Sequence, residues 1–236
     1  MTDQPINFVI LGASGDLASR LLLPGLGTLL QTSPERRVRV IGVARSPKSQ
    51  EQWRELIRTV LGEQECGHAA LEQVAQSSRW VQIADYAGAE LAGILNELDG
   101  PSVLYFALPP QATEDVCADL AGHRLPADLV LALDKPFGND LAGAQRLNSL
   151  VAELVPEDRV FRVDHFLGKN TVLNVLGVRF ANLLLESSWN ADHIERIEIV
   201  ADETLALEGR AGYYDSAGAL IDMIQSHLLV VMCLVA

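Results

Sequence analysis

Short apolar runs alternate with helical stretches over the first two thirds of the chain, and this alternation restricts the fold more than any other feature. Six runs are predicted as strands: residues 6–11, 38–44, 80–83, 102–107, 129–133 and 159–163. Helices are predicted between them at residues 16–30, 47–61, 111–121 and 140–154. Because strands joined by helices run parallel and are covered on both faces, we predict an α/β fold with a doubly wound parallel sheet.

The pattern changes after residue 163. A helix over residues 170–186, a strand over 194–201 with alternating Ile and Val, and a final helix from Ser216 are predicted there. We therefore divide the chain into a first domain, residues 1–163, and the beginning of a second domain, residues 164–236. A single strand cannot form a stable sheet, and the chain closes on an apolar run from residue 228. We expect the second domain to be incomplete.

The charge balance of the chain limits its partners. The chain has 18 Lys and Arg residues and 31 Asp and Glu residues, so its formal net charge is −13. Nucleic-acid binders normally carry a basic face, and we expect no nucleic-acid partner. A phosphate ligand would need a locally basic pocket on such an acidic protein. The cysteines form no C-x-x-C motif, and we find neither a signal peptide nor an apolar run of about 18 residues. We expect a cytoplasmic protein with no membrane partner.

A glycine-rich segment, G-A-S-G-D-L at residues 12–17, follows the first predicted strand. Glycines at a strand-to-helix turn allow the backbone to approach a pyrophosphate, and the N-terminus of the next helix offers unpaired N–H groups. The spacing is G-x-x-G rather than the commoner G-x-G-x-x-G, and a tight turn with Asp16 as N-cap would need no ligand. With a strand before it and a helix after it, the segment favours dinucleotide binding.

Arg45 and Ser46 follow the second predicted strand. Folds that bind NAD place an acidic residue at this point for the ribose 2′-hydroxyl, whereas an arginine suits a 2′-phosphate. The sequence therefore favours NADP over NAD. A solvated arginine at the start of a loop would leave the same pattern.

Charged residues also follow two later strands. Lys135, in D-K-P-F-G, comes after the strand at 129–133, where a lysine either faces a ligand crevice or lies on a surface turn. Asp164, His165 and Lys169, in R-V-D-H-F-L-G-K, lie at a strand-to-helix junction. A histidine and a lysine near a helix N-terminus can bind a phosphate. An Asp N-cap followed by a solvated lysine explains the same residues.

His227 lies in the last predicted helix, five residues after Asp222. A histidine is the usual general base near neutral pH. A lone histidine followed by two leucines is more often a buried core residue. The interpretation of His227 as a base therefore requires a carboxylate partner.

These segments, in this order, resemble the glucose-6-phosphate dehydrogenase family. Members of that family carry a G-A-S-G-D-L-type loop, A-R-S after the second strand, E-K-P-F-G, R-I-D-H-Y-L-G-K and a D-x-x-x-x-H-L-L helix. The resemblance runs from Phe8 to the last residue, and R-V-D-H-F-L-G-K is its most specific part. It implies a Rossmann-type domain that binds NADP, followed by the start of an α+β domain for substrate binding and dimerisation.

The resemblance also implies roles for the matching residues. His227 matches the general base that removes the proton from the C1 hydroxyl, and Asp164 matches the carboxylate that orients it. Hydride passes to the nicotinamide and leaves a lactone, so no metal is needed. Sugar and phosphate contacts correspond to Lys135, His165, Lys169, Glu203 and Asp222. NADP contacts correspond to Gly12, Ser14, Gly15, Asp16, Leu17, Arg45, Ser46, Tyr105, Ala107, Pro109 and Lys135.

Four positions depart from the family pattern. Asp134 and Asn170 replace glutamates, Phe166 stands where tyrosine is frequent, and Leu21 stands where a lysine is usual. Phe166 removes a hydroxyl donor to the phosphate, and Leu21 removes a positive charge near the cofactor. These changes bear on the identity and affinity of the substrate more than on the fold.

The resemblance thus implies an oxidoreductase that oxidises glucose 6-phosphate with NADP, the first step of the pentose phosphate pathway. Family chains are much longer, so activity and assembly into a homo-oligomer are expected of a longer chain. Two alternatives stay open. One is a related NADP-dependent dehydrogenase of another sugar or sugar phosphate, and the other is a truncated relative that binds NADP without catalysis.

Overall fold

A six-stranded parallel sheet is the centre of the first of two units into which the chain divides, Met1–Val163 and Asp164–Ala236. The structure is a computed structural model and describes residues 4–138, 140–202 and 218–236. The strands are β1 Ile6–Leu11, β2 Val38–Ala44, β3 Arg79–Gln82, β4 Ser102–Phe106, β5 Val130–Asp134 and β6 Val160–Val163. Their order is β3-β2-β1-β4-β5-β6, and all five pairings are parallel. This is the order of the Rossmann fold, and it confirms the predicted doubly wound sheet.

Helices cover both faces of this sheet. They are α1 Leu23–Thr32, α2 Gln50–Gly62, α3 His68–Ser77, α4 Gly88–Asn96, α5 Pro110–Leu120 and α6 Leu141–Leu154. The sequence pattern does not predict α3 or α4. Helix α2 begins at a capping box, in which the Ser49 hydroxyl accepts a hydrogen bond from Gln52 N and the Gln52 side chain accepts one from Ser49 N.

Pro24 does not interrupt the first helix, although a proline inside the predicted helix of residues 16–30 would be expected to kink or end it. A π-helical segment, Ala18–Leu22, runs directly into α1, and Pro24 occupies the first turn of α1. A proline is tolerated in a first helical turn because its missing N–H has no partner to lose there. The change from π to α geometry therefore falls where the proline can be accommodated.

Adjacent residues of the central strands point into two different apolar layers. Val9 and Leu11 of β1 pack in one core with residues of α4, α5 and α6, whereas Ile10 packs in a second core with residues of α1, α2 and α3. Strands buried on both faces are apolar without alternation, as the sequence of β1 and β2 shows. The carboxyl ends of parallel strands lie along one edge of the sheet, where ligands bind in folds of this type.

The second unit is described as helices. They are α7 Asn170–Phe180, α8 Leu183–Glu186, the π-helical segment Leu220–Leu228, and α9 Leu229–Val235, which continues that segment. The start predicted for the last helix, Ser216, lies outside the described residues. Helix α9 is tied to other parts of the unit through its last carbonyls. Arg179 Nη1 donates to Leu234 O at 2.6 Å, and Trp189 Nε1 donates to Val235 O at 2.8 Å.

Two predictions for this unit are wrong. The single helix predicted over residues 170–186 is divided at Asn182, whose side chain accepts a hydrogen bond from Leu184 N at 3.1 Å and so starts a new helix. The strand predicted over 194–201 does not form, and these residues adopt neither helix nor strand. A strand needs a hydrogen-bonded neighbour, and no neighbouring strand lies within the described part of this unit.

Candidate active site

The glycine segment forms a close turn at the end of β1. Gly12 has φ +79°, a conformation that favours glycine. Its N–H donates to Val43 O at 2.9 Å, and Gly15 N donates to Gly12 O at 2.9 Å. A Cβ atom at Gly12 would overlap the carbonyl oxygen of Ala107. The turn is therefore packed against the ends of β2 and β4, with no room for a side chain at Gly12.

The turn after β1 meets the segment after β2. The hydroxyls of Ser46 and Ser14 lie 3.4 Å apart, within hydrogen-bond distance. Arg45 is exposed, and its carbonyl accepts a hydrogen bond from Gln82 Nε2 at 3.3 Å. Residues predicted from two separate motifs to contact NADP are thus brought together at one edge of the sheet. Asp16 and Leu17 follow the turn and lead into the helical segment Ala18–Leu22.

The remaining residues predicted at the cofactor lie on β4, β5 and the segments after them. Tyr105 on β4 is buried, and burial together with the negative charge of Asp134 raises the pKa of its hydroxyl, which stays protonated. Ala107 N donates to Leu11 O at 3.1 Å, and Pro109 directly precedes α5. Lys135 follows β5, and its backbone N–H donates to Asp134 Oδ1 at 2.9 Å.

Tyr86 is a residue at this edge that the motifs do not indicate. Burial raises the pKa of its hydroxyl, while a hydrogen bond with the Gly12 backbone and the charge of Arg45 act in the opposite direction. The Tyr86 hydroxyl therefore lies beside both the glycine turn and Arg45. A tyrosine in the loop after a short strand belongs to no glycine or charge motif, so no signal in the sequence identifies it.

These segments fit a dinucleotide. Gly12 allows a close turn at the end of β1, the following helix begins within a few residues, and Arg45 supplies a cation on an acidic protein. A pyrophosphate requires such a backbone approach, and a 2′-phosphate suits an arginine.

In the second unit, a tight turn follows Asp164. One carboxylate oxygen of Asp164, Oδ1, accepts a hydrogen bond from Phe166 N at 2.9 Å. Backbone bonds from Leu167 N to Asp164 O and from Gly168 N to His165 O continue the turn. An aspartate that accepts from the N–H two residues later is a common way to begin a turn. The orientation of the Asp164 carboxylate is therefore determined by the local backbone.

His227 lies against this carboxylate. Its side chain is 1% exposed, and its Nδ1 lies 2.6 Å from Asp164 Oδ1. A carboxylate at this distance orients the imidazole and stabilises its protonated form. An ordinary core histidine has no such partner. The two residues are 63 positions apart in the chain, so only the fold brings them together.

The π-helical segment Leu220–Leu228 carries both His227 and Asp222. A π-helix bonds residue i to residue i+5, so side chains five positions apart lie near one another on the same face. Asp222 and His227 have this spacing, and both are buried. Ser226 Oγ donates a hydrogen bond to the backbone carbonyl of Asp222, four residues earlier in the same segment. The widened turn places both Asp222 and His227 among the buried residues of this helical segment.

His165 and Lys169 place an exposed imidazole and an exposed ammonium beside this pair. The His165 and His227 rings contact edge to face, with centroids 5.0 Å apart. Lys169 Nζ lies 3.7 Å from the centre of the Phe166 ring. One ligand atom each of Asp164, His165 and His227 lies within 4.8 Å of the others, an arrangement that could also hold a divalent metal. Glu203, predicted to contact the sugar, lies outside the described residues.

Residues 9–174 match the family model "Glucose-6-phosphate dehydrogenase, NAD binding domain". The chain belongs to the glucose-6-phosphate dehydrogenase family. Residues 176–236 match the C-terminal domain model of that family. The nicotinamide-cofactor domain of this family member therefore coincides with the parallel sheet and its glycine turn, and the family prediction is confirmed.

Curated relatives of this family member include proteins from several bacteria. It is 35% identical to the glucose-6-phosphate 1-dehydrogenase of Rhizobium meliloti (strain 1021) over 99% of the chain, and 38% identical to that of Gluconobacter oxydans (strain 621H) over 99%. In both cases the match covers 50% of the relative. The chain therefore spans about half the length of the curated relatives it matches.

Solved structures show the same fold. A glucose-6-phosphate dehydrogenase in complex with its substrate glucose 6-phosphate superposes with a TM-score of 0.82 at 33% identity, covering 99% of this chain and 51% of that one. The glucose-6-phosphate 1-dehydrogenase of Mycobacterium avium superposes with a TM-score of 0.81 at 30% identity, and the match covers 99% of this chain and 53% of that one. Among the described helices, none is both long and apolar enough to cross a membrane.

Proposed function

We propose that the protein containing this chain oxidises glucose 6-phosphate at C1 with NADP and yields 6-phosphogluconolactone, the entry step of the pentose phosphate pathway. The observation that carries this proposal is the buried pair of His227 and Asp164, with 2.6 Å between Nδ1 and Oδ1. Membership of the family supplies the reaction class. A buried histidine held by a carboxylate is suited to accept a proton near neutral pH.

His227 acts as the general base in this proposal. Its imidazole takes the proton of the C1 hydroxyl, and the Asp164 carboxylate stabilises the imidazolium that results. The oxidised nicotinamide, when bound, supplies the acceptor for the hydride that leaves C1. The C1–O bond then becomes a carbonyl, so the proton and the hydride together account for the two hydrogens that the sugar loses. No metal is required for this reaction, because the base and the nicotinamide are sufficient.

The sugar phosphate is assigned to cationic and acidic residues. The exposed imidazole of His165 and the exposed ammonium of Lys169 lie beside the base and would bind the phosphate, and Lys135, Glu203 and Asp222 would contact sugar hydroxyls. The buried Asp222 lies one π-helical turn before His227. A phosphate oxygen that accepts from an ammonium or imidazolium forms the stronger, charge-assisted class of hydrogen bond. This supports a phosphorylated sugar over a free one.

NADP rather than NAD is assigned as the cofactor. Arg45 follows β2 at the position where an acidic residue would favour NAD. The neighbouring hydroxyls of Ser14 and Ser46 add donors within reach of the same group. NADP contacts are assigned to Gly12, Ser14, Gly15, Asp16, Leu17, Arg45, Ser46, Tyr105, Ala107, Pro109 and Lys135.

The two units are assigned different tasks. Residues 1–163 form the NADP-binding domain, and residues 164–236 form the beginning of the α+β substrate domain. The division of the chain after Val163 supports this boundary. Homo-oligomer formation is assigned to the longer protein. A cytoplasmic location is supported by a potato relative, 36% identical, that is named a cytoplasmic isoform.

Turnover of glucose 6-phosphate tests the proposal. The protein containing this chain is mixed with glucose 6-phosphate and NADP, and NADPH absorbance is followed. His227→Asn should lower kcat by at least about 100-fold, because removal of a general base costs roughly 10²–10⁴-fold, and should leave NADP affinity unchanged. His193→Asn, an exposed histidine of the same unit, is the matched control. Full turnover by His227→Asn would contradict the assigned base.

A substrate panel separates the two alternatives. Glucose 6-phosphate should be oxidised faster than free glucose or glucosamine 6-phosphate under the same conditions. A preference for another sugar would replace the proposed substrate by a related one. Binding of NADP with no oxidation of any sugar by the protein containing this chain would favour the non-catalytic relative.

A further inference from the structure

The ring of Phe166 lies flat against the ring of His227. The two centroids are 4.1 Å apart and the ring planes differ by 18°. Lys169 Nζ lies 3.7 Å from the centre of the same Phe166 ring. A stacked imidazole covers most of one face of a phenyl ring and leaves the opposite face as the open position for an ammonium. The imidazole therefore occupies one face of Phe166 and the ammonium occupies the other.

Phe166 also contacts the partner of the base. Its backbone N–H donates to Asp164 Oδ1 at 2.9 Å, the same oxygen that lies 2.6 Å from His227 Nδ1. Thus the backbone of one residue orients the carboxylate, and its side chain covers a face of the imidazole. The position is one at which the sequence departs from the tyrosine that is frequent in the family.

A flat ring contact restricts the imidazole in a definite way. His227 can turn about its side-chain bonds only if it breaks the contact with Phe166, so the plane in which Nδ1 faces Asp164 is held. The ammonium of Lys169 is attracted to the far face of Phe166 by the cation–π interaction. The phenyl ring thereby keeps a positive charge from approaching the imidazole and from competing for Asp164.

We propose that Phe166 is a positioning residue for His227 and that its ring separates the imidazole from the Lys169 ammonium. This proposal rests on the proposed function insofar as His227 is the base. The contacts that carry it involve residues 164–169 and 227 and do not depend on a bound cofactor. These contacts give Phe166 a structural role of its own, besides the absence of the tyrosine hydroxyl that is frequent at this position in the family.

The proposal has a consequence for the pKa of His227. The groups that face this imidazole are the carboxylate of Asp164, the ring of His165 and, beyond Phe166, the ammonium of Lys169, and Asp222 is buried on the same π-helical segment as His227. Replacing Phe166 with leucine removes an aromatic face that favours the imidazolium and opens the path for the ammonium. Both changes disfavour protonation, so the pKa of His227 should fall.

Proton NMR of the full chain tests the stack without any need for turnover. The chain has five histidines, and the ring-proton signals of His227 are identified by their loss in His227→Asn. In the parent chain these signals should be displaced upfield by the Phe166 ring. Phe166→Leu should remove the displacement and lower the pKa of His227 obtained from the pH titration, whereas Phe166→Tyr should preserve both.

A matched control and a double substitution make this test specific. Phe180→Leu removes another partly exposed phenylalanine of the same unit, one with Arg179 over its ring but no contact to His227, and should change neither signal. Lys169→Met should raise the pKa of His227 more in the Phe166→Leu background than in the parent chain. Equal effects in both backgrounds, or unchanged His227 signals in Phe166→Leu, would overturn the proposal. If Phe166→Leu does not fold, Phe166→Tyr replaces it: loss of the upfield displacement there would also overturn the proposal.

Kinetics of the protein containing this chain give a second readout. Phe166→Leu should lower kcat by roughly 10- to 100-fold through misplacement of the base, with the KM for NADP unchanged, and should move the acidic limb of the pH–rate profile to lower pH. Phe166→Tyr should restore the parent profile. If no sugar is oxidised but the NMR result stands, the proposed function fails and the packing role of Phe166 survives.

Discussion

Among single residues, Arg45 determines the expected choice of cofactor. The guanidinium follows β2, where the ribose end of a dinucleotide binds in this fold. Arg45→Ala should weaken NADP binding by roughly 10- to 100-fold, the loss of one charge-assisted hydrogen bond of about 1.5–3 kcal/mol, and leave NAD binding nearly unchanged. Calorimetric titration of both nucleotides measures the two affinities. Arg36→Ala, an exposed arginine elsewhere in the same unit, is the control.

Gly12 is the single residue whose replacement should do most damage to the turn. A side chain there would combine a positive φ with overlap of the Ala107 carbonyl. Gly12→Ala should lower the free energy of unfolding by at least about 1 kcal/mol. The control is Gly25→Ala, because Gly25 lies exposed in α1 with nothing within 4 Å of an added Cβ, and it should stabilise the chain by about 0.5–1 kcal/mol. Urea unfolding measures both, and equal effects would contradict the close packing at Gly12.

Among the secondary-structure elements, α2 and α3 are joined by a charged network around Arg58. Its Nε lies 2.9 Å from Glu72 Oε1, and its Nη1 lies 3.1 Å from Glu51 Oε1. The guanidinium lowers the pKa of the Glu72 carboxyl below its ordinary value. A carboxyl with a lowered pKa in the folded state contributes stability above its unfolded pKa, about 4.3, and this contribution is lost as the pH falls through the folded value.

Arg58→Gln should therefore lower the free energy of unfolding at neutral pH. The difference in this free energy between the variant and the parent chain should become smaller as the pH falls below about 4.3. Added salt should also shrink it, because the network is near the surface. Urea unfolding at several pH values measures the difference. Arg79→Gln removes an arginine with one exposed partner, Glu97 at 3.6 Å, and should have a much smaller effect. A difference that grows on acidification would be inconsistent with the lowered pKa of Glu72.

For the molecule as a whole, the tryptophans distinguish the two units. Trp53 and Trp80 contact each other in the first unit, with centroids 5.0 Å apart, and Trp189 lies in the second. In Trp189→Phe, fluorescence reports the first unit alone. NADP at about 100 times its Kd should stabilise that unit by about 2.7 kcal/mol and raise its melting temperature by roughly 5–10 °C.

The control is the same thermal unfolding experiment with Arg45→Ala added to Trp189→Phe. At equal NADP concentration, the rise in melting temperature should be smaller in this double variant. No shift with NADP in either background would contradict the assignment of the cofactor to the first unit. This measurement needs no sugar and no turnover, so it tests nucleotide binding separately from catalysis.

The hydrophobic pattern of the sequence predicted most strands and helices of the first unit correctly but few elements of the second unit. The runs at β1 and β2 were predicted to the residue because strands buried on both faces are mostly apolar, here with one polar residue in each, Asn7 and Arg39. Helices α3 and α4 were not predicted. Neither begins at a side-chain cap, so the residues that precede them, Gly67 and Ala87, give no signal for a helix start. In the second unit, the alternating Ile and Val of residues 194–201 indicated a strand, but alternation alone cannot supply the neighbour that a strand requires.

The sequence by itself determined the parallel sheet, the family and the kinds of residue that follow each strand, because these depend on neighbouring positions in the chain. Only the tertiary structure decided which of those residues meet. The approach of His227 to Asp164, the coverage of its ring by Phe166 and the contact of Ser14 with Ser46 join residues far apart in the chain. Such contacts arise from the packing of whole elements, and no spacing or composition encodes the 2.6 Å between His227 Nδ1 and Asp164 Oδ1.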